Sequence, residues 1–175
     1  MIQRRVLMSD NTEEWFDVVD EEDQVIDQMR RADVHRLKLR HRAVHIFVWR
    51  TDGRLLIHKR TDSKEEFPGV WTSSASGHVS AGEDYAISAD RELTEELGFT
   101  ADLHRSHKFV ACPDTSMEFT ELFECQWDGD VTPDASEIQK VEWVAPAQLA
   151  DDMSRRPERY SPAFRLLFEW YSRQI

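Results

Sequence analysis

The residues between Gly77 and Phe99 include four glutamates and one arginine, at intervals that suit a loop followed by a helix. Glu95 and Glu96 follow Glu92 by three and four residues, so in a helix of about 3.6 residues per turn all three side chains share one face. Carboxylates crowded on one face repel one another, and a divalent cation with oxygen ligands relieves that repulsion. The spacing therefore predicts a metal-binding helix.

Glycines stand on both sides of this acidic helix. Gly77 and Gly82 flank the preceding loop, where backbone groups can approach a metal ion or a phosphate without an intervening Cβ. The predicted helix runs from about residue 84 to residue 97 and ends at Gly98. Its predicted buried face consists of Ala86, Ala89, Leu93 and Leu97. Acidic helix faces often bind nothing, but the glycines in register with the glutamates favour a metal site.

The whole segment resembles the Nudix box. The matching residues are Gly77, Glu83, Arg91, Glu92, Glu95 and Glu96. The resemblance implies that the three helix glutamates bind Mg²⁺, or alternatively Mn²⁺, with help from the carbonyl group of Gly77. It also implies that Arg91 and Glu83 form an ion pair that fixes the loop against the helix and orients Glu92.

Three glutamates are candidates for the general base of the reaction that this resemblance implies. Glu92 is the first candidate, and Glu121 and Glu137 are alternatives. Glu121 lies in a predicted strand, where it shares one face with Phe119 and Phe123. A carboxylate between two phenylalanines fits a face that lines the metal cleft, so Glu121 is predicted to be a fourth metal ligand or a base opposite the helix. The alternative is a sheet face open to water.

Alternating apolar runs and turn signals outside the box predict a mixed β-sheet with further helices. The predicted strands span residues 15–19, 25–29, 43–49, 55–58, 103–110, 117–127 and 138–144, with a partly helical connection up to residue 39 and helices from about residue 146 and over 163–171. The first two strands form one hairpin, and the next two form another around Asp52 and Gly53. This order fits the α/β/α sandwich that the Nudix resemblance implies, with a mixed sheet and an N-terminal β-hairpin.

The composition limits the number of domains and the kinds of partner. A chain of 175 residues, 40% of them hydrophobic, can bury one core, so residues 13–175 are predicted to form a single Nudix hydrolase domain after a flexible leader over residues 1–12. A formal charge of −12 argues against binding to nucleic acid or to a membrane, since both favour clustered basic residues. No apolar run reaches the ~20 residues of a membrane span, and no signal peptide is recognisable, so a cytoplasmic protein is expected. Homodimerisation is left open.

A second resemblance extends over roughly residues 14 to 145. Residues 67–78, FPGVWTSSASGH, are similar to a segment of type I isopentenyl diphosphate isomerase. His41 and His78 match two histidines that bind metal in that enzyme, and Glu121 is the nearest match for one of its glutamates. Whether these histidines bind metal here is left open, since histidines that alternate with apolar residues on a strand are more often structural.

One position argues against isomerase chemistry. The isomerase needs a cysteine immediately before the Gly-His pair, and this chain has Ser76 there. A hydroxyl group is far less acidic than a thiol, whose ordinary pKa is about 8.5, so protonation of carbon should be disabled. The sequence therefore predicts a Mg²⁺-dependent pyrophosphohydrolase that cleaves a nucleoside diphosphate linked to another moiety, or a related small organic diphosphate. The alternatives are an isopentenyl diphosphate isomerase and a nucleotide sensor that uses the same pocket.

Overall fold

The structure, a computed structural model, describes residues 13–174. Its strands are β1 (Trp15–Val19), β2 (Val25–Arg30), β3 (His41–Trp49), β4 (Leu55–Arg60), β5 (Trp71–Thr72), β6 (Ala75–His78), β7 (His104–Phe109), β8 (Glu118–Gln126) and β9 (Ile138–Val144). Its helices are α1 (Arg31–Leu37), α2 (Tyr85–Leu97), α3 (Pro146–Arg155) and α4 (Pro162–Ser172). The leader predicted for residues 1–12 lies outside the described residues. None of the described helices is long and apolar enough to cross a membrane.

The predicted strands and helices are all present, with small differences at their ends. Strands β5 and β6 were not predicted from the sequence, because strands of two and four residues are too short to show a repeating pattern. The two strands of the N-terminal hairpin, β1 and β2, pair antiparallel as predicted and form a small sheet of their own.

The main sheet opens between β3 and β4. The predicted hairpin joins these two strands at its tip, where Trp49 pairs with Leu55. Away from the tip, β3 pairs antiparallel with β6 and parallel with β8, whereas β4 pairs with β5 and β9. Strand β7 extends the sheet beyond β8. The sheet is therefore mixed. One branch contains β3, β6, β8 and β7, the other contains β4, β5 and β9, and β5 and β6, which are consecutive in the chain, lie in different branches.

Helices cover both faces of this sheet, which confirms the predicted sandwich. Because side chains alternate along a strand, Val44, Ile46 and Val48 of β3 face α2 and pack with its Leu93 and Leu97. The opposite face of the sheet packs against α3 and α4. The buried residues on that side include Phe47, Trp49, Leu55, Leu149, Phe164, Leu167 and Phe168.

Helix α2 has the predicted ends but a slightly different buried face. The side chain of Asp84 accepts a hydrogen bond from the backbone N–H of Ile87 at 2.9 Å, and Gly98 ends the helix in a left-handed conformation with φ 77°. Ala86, predicted to be buried, is exposed, and Ser88 is buried instead. Hydrophobicity could not identify Ser88, because its hydroxyl group is satisfied by hydrogen bonds with the carbonyl of His78 and with Arg91.

An ionic cluster at Asp23 fastens the N-terminal hairpin to the main sheet. Asp23 lies in the β1–β2 turn and is only 5% exposed. Its carboxylate accepts hydrogen bonds from Arg42 of β3 at 2.7 Å, from the hydroxyl group of Tyr85 at 2.9 Å and from Lys108 of β7. Burial alone would raise the pKa of Asp23, but these three donors outweigh it and hold the pKa below its ordinary value. The cluster thus joins the hairpin turn to a central strand, the acidic helix and an outer strand.

We expect Asp23→Asn to lower the free energy of unfolding by about 2 kcal/mol near neutral pH, since it leaves two cations around a buried neutral group. Because the folded-state pKa of Asp23 is depressed, this stabilisation is present above the unfolded-state pKa and is lost as pH falls through the folded-state value. Urea unfolding of both proteins at several pH values measures the difference. The exposed neighbour variant Glu22→Gln is the control, and an equal effect of both substitutions would contradict this role for Asp23.

Candidate active-site cleft

A cleft of about 940 Å³ lies between β6, the loop that follows it and the acidic face of α2. Five of the residues predicted from the box line this cleft: Gly77, Arg91, Glu92, Glu95 and Glu96. Glu137, an alternative candidate for the base, also lines it, and so does Arg60 at the end of β4. Most residues of the box therefore lie on one concave surface, which is the usual form of a small-molecule site.

The backbone of Gly77 lies close to the carboxyl group of Glu92. A Cβ atom placed on Gly77 would lie 2.1 Å from the carboxyl group of Glu92, a distance that no side chain could tolerate without movement. The antiparallel register places Gly77 opposite Val44, whose side chain packs against α2. The absence of a side chain at Gly77 therefore allows the backbone of β6 to reach the carboxylates of the helix.

The helix carboxylates differ in their surroundings. Glu95 is exposed, Glu92 is half-buried, and Glu96 is only 6% exposed and accepts a hydrogen bond from the backbone N–H of Ser76 at 3.0 Å. Burial, helped by the charge of Glu95, raises the pKa of Glu92 to about 7. Burial and the nearby Glu92 raise the pKa of Glu96 well above its ordinary value. Buried carboxyl groups that resist ionisation beside one another suit a divalent cation with oxygen ligands.

Arg91 connects the loop to the helix, as the box pattern predicted. Its guanidinium group donates to both carboxylate oxygens of Glu83, at 3.0 and 2.9 Å, and to Glu92 at 2.6 Å. It also donates to the carbonyl oxygen of His78 at 3.2 Å. The charge and hydrogen bonds of Arg91 hold the pKa of Glu83 below its ordinary value although burial acts to raise it. Arg91 therefore restrains the orientation of Glu92 and the path of the loop together.

Glu121 does not lie in the cleft, which differs from the sequence prediction. The predicted alternation is present, since Phe119 and Phe123 are buried with it, but their face points into the sandwich on the α2 side. There the carboxylate of Glu121 contacts Arg105 at 3.2 Å and Lys108 at 3.9 Å, both on β7. The flanking phenylalanines correctly indicated a buried face of β8. That face is buried because it packs against β7 and the α2 side of the sandwich, and no metal is needed to account for it.

Glu118, three residues earlier, takes the place beside the histidines that the isomerase resemblance had assigned to Glu121. The parallel register of β3 and β8 sets Glu118 opposite His41. Its carboxylate lies 3.1 Å from Nε2 of His78 and 3.5 Å from Nε2 of His41. Burial acts to raise the pKa of Glu118, but the two histidines hold it well below its usual range, and burial lowers the pKa of His78 to about 4. Only the strand register reveals this contact, so sequence analysis missed it.

These residues form a second group that could hold a metal ion. The candidate ligand atoms of His35, His41 and His78 lie within 4.8 Å of one another, and so do those of Glu66, His78 and Glu118. Within the described part of the chain, the buried Nε2 atoms of the three histidines have no partner with good hydrogen-bond geometry. The ring of Phe16 stacks on His41 and His78 and separates them from solvent on the side of the N-terminal hairpin. Among the described residues, the ligand atoms that lie this close together therefore belong to the histidine-containing groups, while the carboxylates predicted as ligands stand on α2, on the other face of β6.

Comparison with known proteins agrees with the box geometry. The sequence profile of the NUDIX domain matches residues 39–165. The chain is 34% identical over 162 residues to an uncharacterized Nudix hydrolase of Yersinia pestis, covering 91% of this chain and 87% of that protein. It is also 34% identical over 157 residues to an isopentenyl-diphosphate Delta-isomerase of Serratia proteamaculans, covering 87% and 88% respectively. Among solved structures, DR0079 of Deinococcus radiodurans matches with a TM-score of 0.74 and 28% identity, over 81% of this chain and 90% of that one.

In protein freed of divalent cations, we expect Glu96→Gln to become more stable relative to wild type as pH rises through the folded-state pKa of Glu96, which burial and the nearby Glu92 hold above its ordinary value. A carboxyl group whose folded-state pKa is raised contributes stability below its unfolded-state pKa and loses it as pH rises through the folded-state value. Glutamine cannot ionise, so the variant avoids that loss. Thermal unfolding in the presence of a chelator measures the difference, with the exposed Glu158→Gln as control. Parallel pH profiles for wild type and Glu96→Gln would contradict the expectation.

Proposed function

The chain belongs to the Nudix family and is a hydrolase that acts on diphosphate bonds, and we propose that it is a Mg²⁺-dependent pyrophosphohydrolase of small organic diphosphates, including nucleoside diphosphates linked to another moiety. The observation that carries this proposal is the buried carboxyl group of Glu96 beside the half-buried one of Glu92, in the cleft next to Gly77. Such a pair is costly without a cation and favourable with one.

The donor atoms in the cleft fit Mg²⁺ better than a softer metal. Glu92, Glu95 and Glu96 would supply carboxylate oxygens, and Gly77 would supply a carbonyl oxygen, which are the ligands that Mg²⁺ prefers. When bound there, the ion would neutralise the charge of the diphosphate and acidify a water molecule. Mn²⁺ accepts the same ligands and is the alternative ion.

The side chains of this protein would position the reaction and accept its proton. Glu92 is the first candidate for the base, because its carboxyl group lines the cleft next to Gly77 and Arg91 holds it there. Arg91 keeps Glu92 in place through the 2.6 Å hydrogen bond and through its anchor on Glu83. Arg60 lines the same cleft and can contact a phosphate group that lies away from the helix. Glu137 is the alternative base.

The test is product release from a panel of nucleoside diphosphate derivatives and simple organic diphosphates, with and without Mg²⁺. We expect metal-dependent cleavage of at least one class, and a decrease of about 100- to 10,000-fold in kcat for Glu92→Gln and for Glu96→Gln. The control is Glu158→Gln, an exposed substitution outside the cleft. Cleavage that persists in both glutamate variants, or that proceeds equally well without Mg²⁺, would contradict the proposal.

Isomerisation of isopentenyl diphosphate is a second candidate, favoured by the cluster of His41, His78 and Glu118. The serine at position 76 argues against it, since a hydroxyl group does not replace a thiol as an acid at carbon. We expect wild-type protein to form no allylic isomer, and Ser76→Cys shows whether this one residue is the barrier. Product analysis by NMR in deuterated water measures both proteins. Isomer formed by wild type would make this second candidate the function.

A further inference from the structure

His45 lies in the cleft but has no part in the box. It stands on β3, where the antiparallel register places it directly opposite Ser76 of β6, so the two side chains share a face of the sheet. The residue is 6% exposed and lines the cleft together with Thr72 and Ser161. A histidine so deeply placed needs its ring nitrogens satisfied, by the protein or by a ligand.

The hydrogen bonds around His45 fix which ring nitrogen carries the proton. Nδ1 lies 2.7 Å from the hydroxyl oxygen of Ser73, which is fully buried. That hydroxyl group has a single proton, and it donates this proton to the carbonyl oxygen of Ala75 at 3.1 Å. With its proton donated to Ala75, Ser73 accepts a hydrogen bond from His45, and in this arrangement Nδ1 of His45 carries the hydrogen.

The other ring nitrogen, Nε2, is then a hydrogen-bond acceptor. Burial, aided by Arg60 and His78 against the opposing charge of Glu118, lowers the pKa of His45 to about 4, so the ring is neutral near pH 7. Within the described residues no hydrogen bond reaches Nε2. A neutral ring anchored at Nδ1 presents a fixed lone pair at Nε2 on a side chain that lines the cleft.

The rest of the cleft near His45 is hydroxyl-rich and poor in aromatic carbon. The hydroxyl groups of Thr72 and Ser161 lie 3.0 Å apart and are buried. Among the described residues that line the cleft, Phe67 is the only phenylalanine, tyrosine or tryptophan, and it is 40% exposed. A flat aromatic base would find no buried stacking surface there, whereas a group with hydroxyl hydrogens would find both an acceptor and hydroxyl partners.

We propose that Nε2 of His45 accepts a hydrogen bond from a hydroxyl group on the organic part of the substrate, which selects diphosphates of non-aromatic, hydroxylated compounds such as polyols and sugars. This inference rests on the proposed diphosphate hydrolysis, for which it names the substrate class. His45 is thus a specificity-determining residue, and Ser73 is the positioning residue that sets its tautomer. A substrate without the hydroxyl group forgoes this hydrogen bond and binds more weakly.

The test compares matched pairs of ligands that differ in hydroxyl groups: propyl with dihydroxypropyl diphosphate, and cyclohexyl with glucosyl diphosphate. Titration calorimetry in Mg²⁺ gives Kd, and product release is followed in parallel. We expect wild type to bind the hydroxylated member of at least one pair about 10- to 100-fold more tightly. In His45→Phe that ratio should fall towards one, and His45→Gln should restore part of it, because its amide oxygen can accept a hydrogen bond. A purely structural role would weaken both members of a pair equally.

Nitrogen NMR of the imidazole rings gives a second readout that needs no substrate. We expect the His45 resonances of a neutral ring protonated at Nδ1, and Ser73→Ala should weaken that tautomer preference. A ring protonated at Nε2 would overturn the inference. So would equal binding of both members of each pair by wild type, an unchanged ratio in His45→Phe, or no binding of any hydroxylated diphosphate. Selective binding without cleavage would instead support His45 and contradict the proposed hydrolysis, and cleavage without selectivity would do the reverse.

Discussion

The shape of the site depends on the positively charged guanidinium group of Arg91, which lies among carboxylates. Arg91 bridges Glu83 in the loop and Glu92 on the helix, and it also holds the carbonyl oxygen of His78 at the end of β6. Its charge offsets part of the repulsion that burial of the helix carboxylates creates. Three segments that are separate in the chain therefore keep a fixed relation to one another, and the cleft between them keeps its shape before any ligand binds.

Strand β6, whose end Arg91 contacts, presents different residues on its two faces. Side chains alternate along a strand, so Gly77 faces α2 whereas Ser76 and His78 face the other side of the sheet. On the first side the missing side chain makes room for Glu92, and on the second side the strand meets His45 and the contact between His78 and Glu118. A strand of four residues thus borders both the carboxylates of α2 and the histidine-containing group.

The errors of the sequence predictions have a common cause. Alternation around Glu121 correctly identified a buried face, but alternation cannot tell whether a cleft or another strand covers that face. In the structure Arg105 and Lys108 cover it. Glu118 was missed because its position beside His41 depends on the parallel register of two strands more than seventy residues apart. Ala86 was placed inside because hydrophobicity favours alanine over serine, yet Ser88 is buried with its hydroxyl group satisfied.

The sequence by itself determined the acidic helix and its glycine boundaries, because helical periodicity is set by residues close together in the chain. The order of strands and helices also followed from local patterns of apolar residues. The pairing of Arg91 with Glu83 and the sandwich were implied by the resemblance to the Nudix family, and the structure contains both. Only the tertiary structure decided which residues meet Ser76 and His78 across the sheet, and that Nδ1 of His45 lies beside the hydroxyl group of Ser73. Those contacts depend on strand register and on single hydrogen bonds between distant residues, and no periodicity in the chain encodes either.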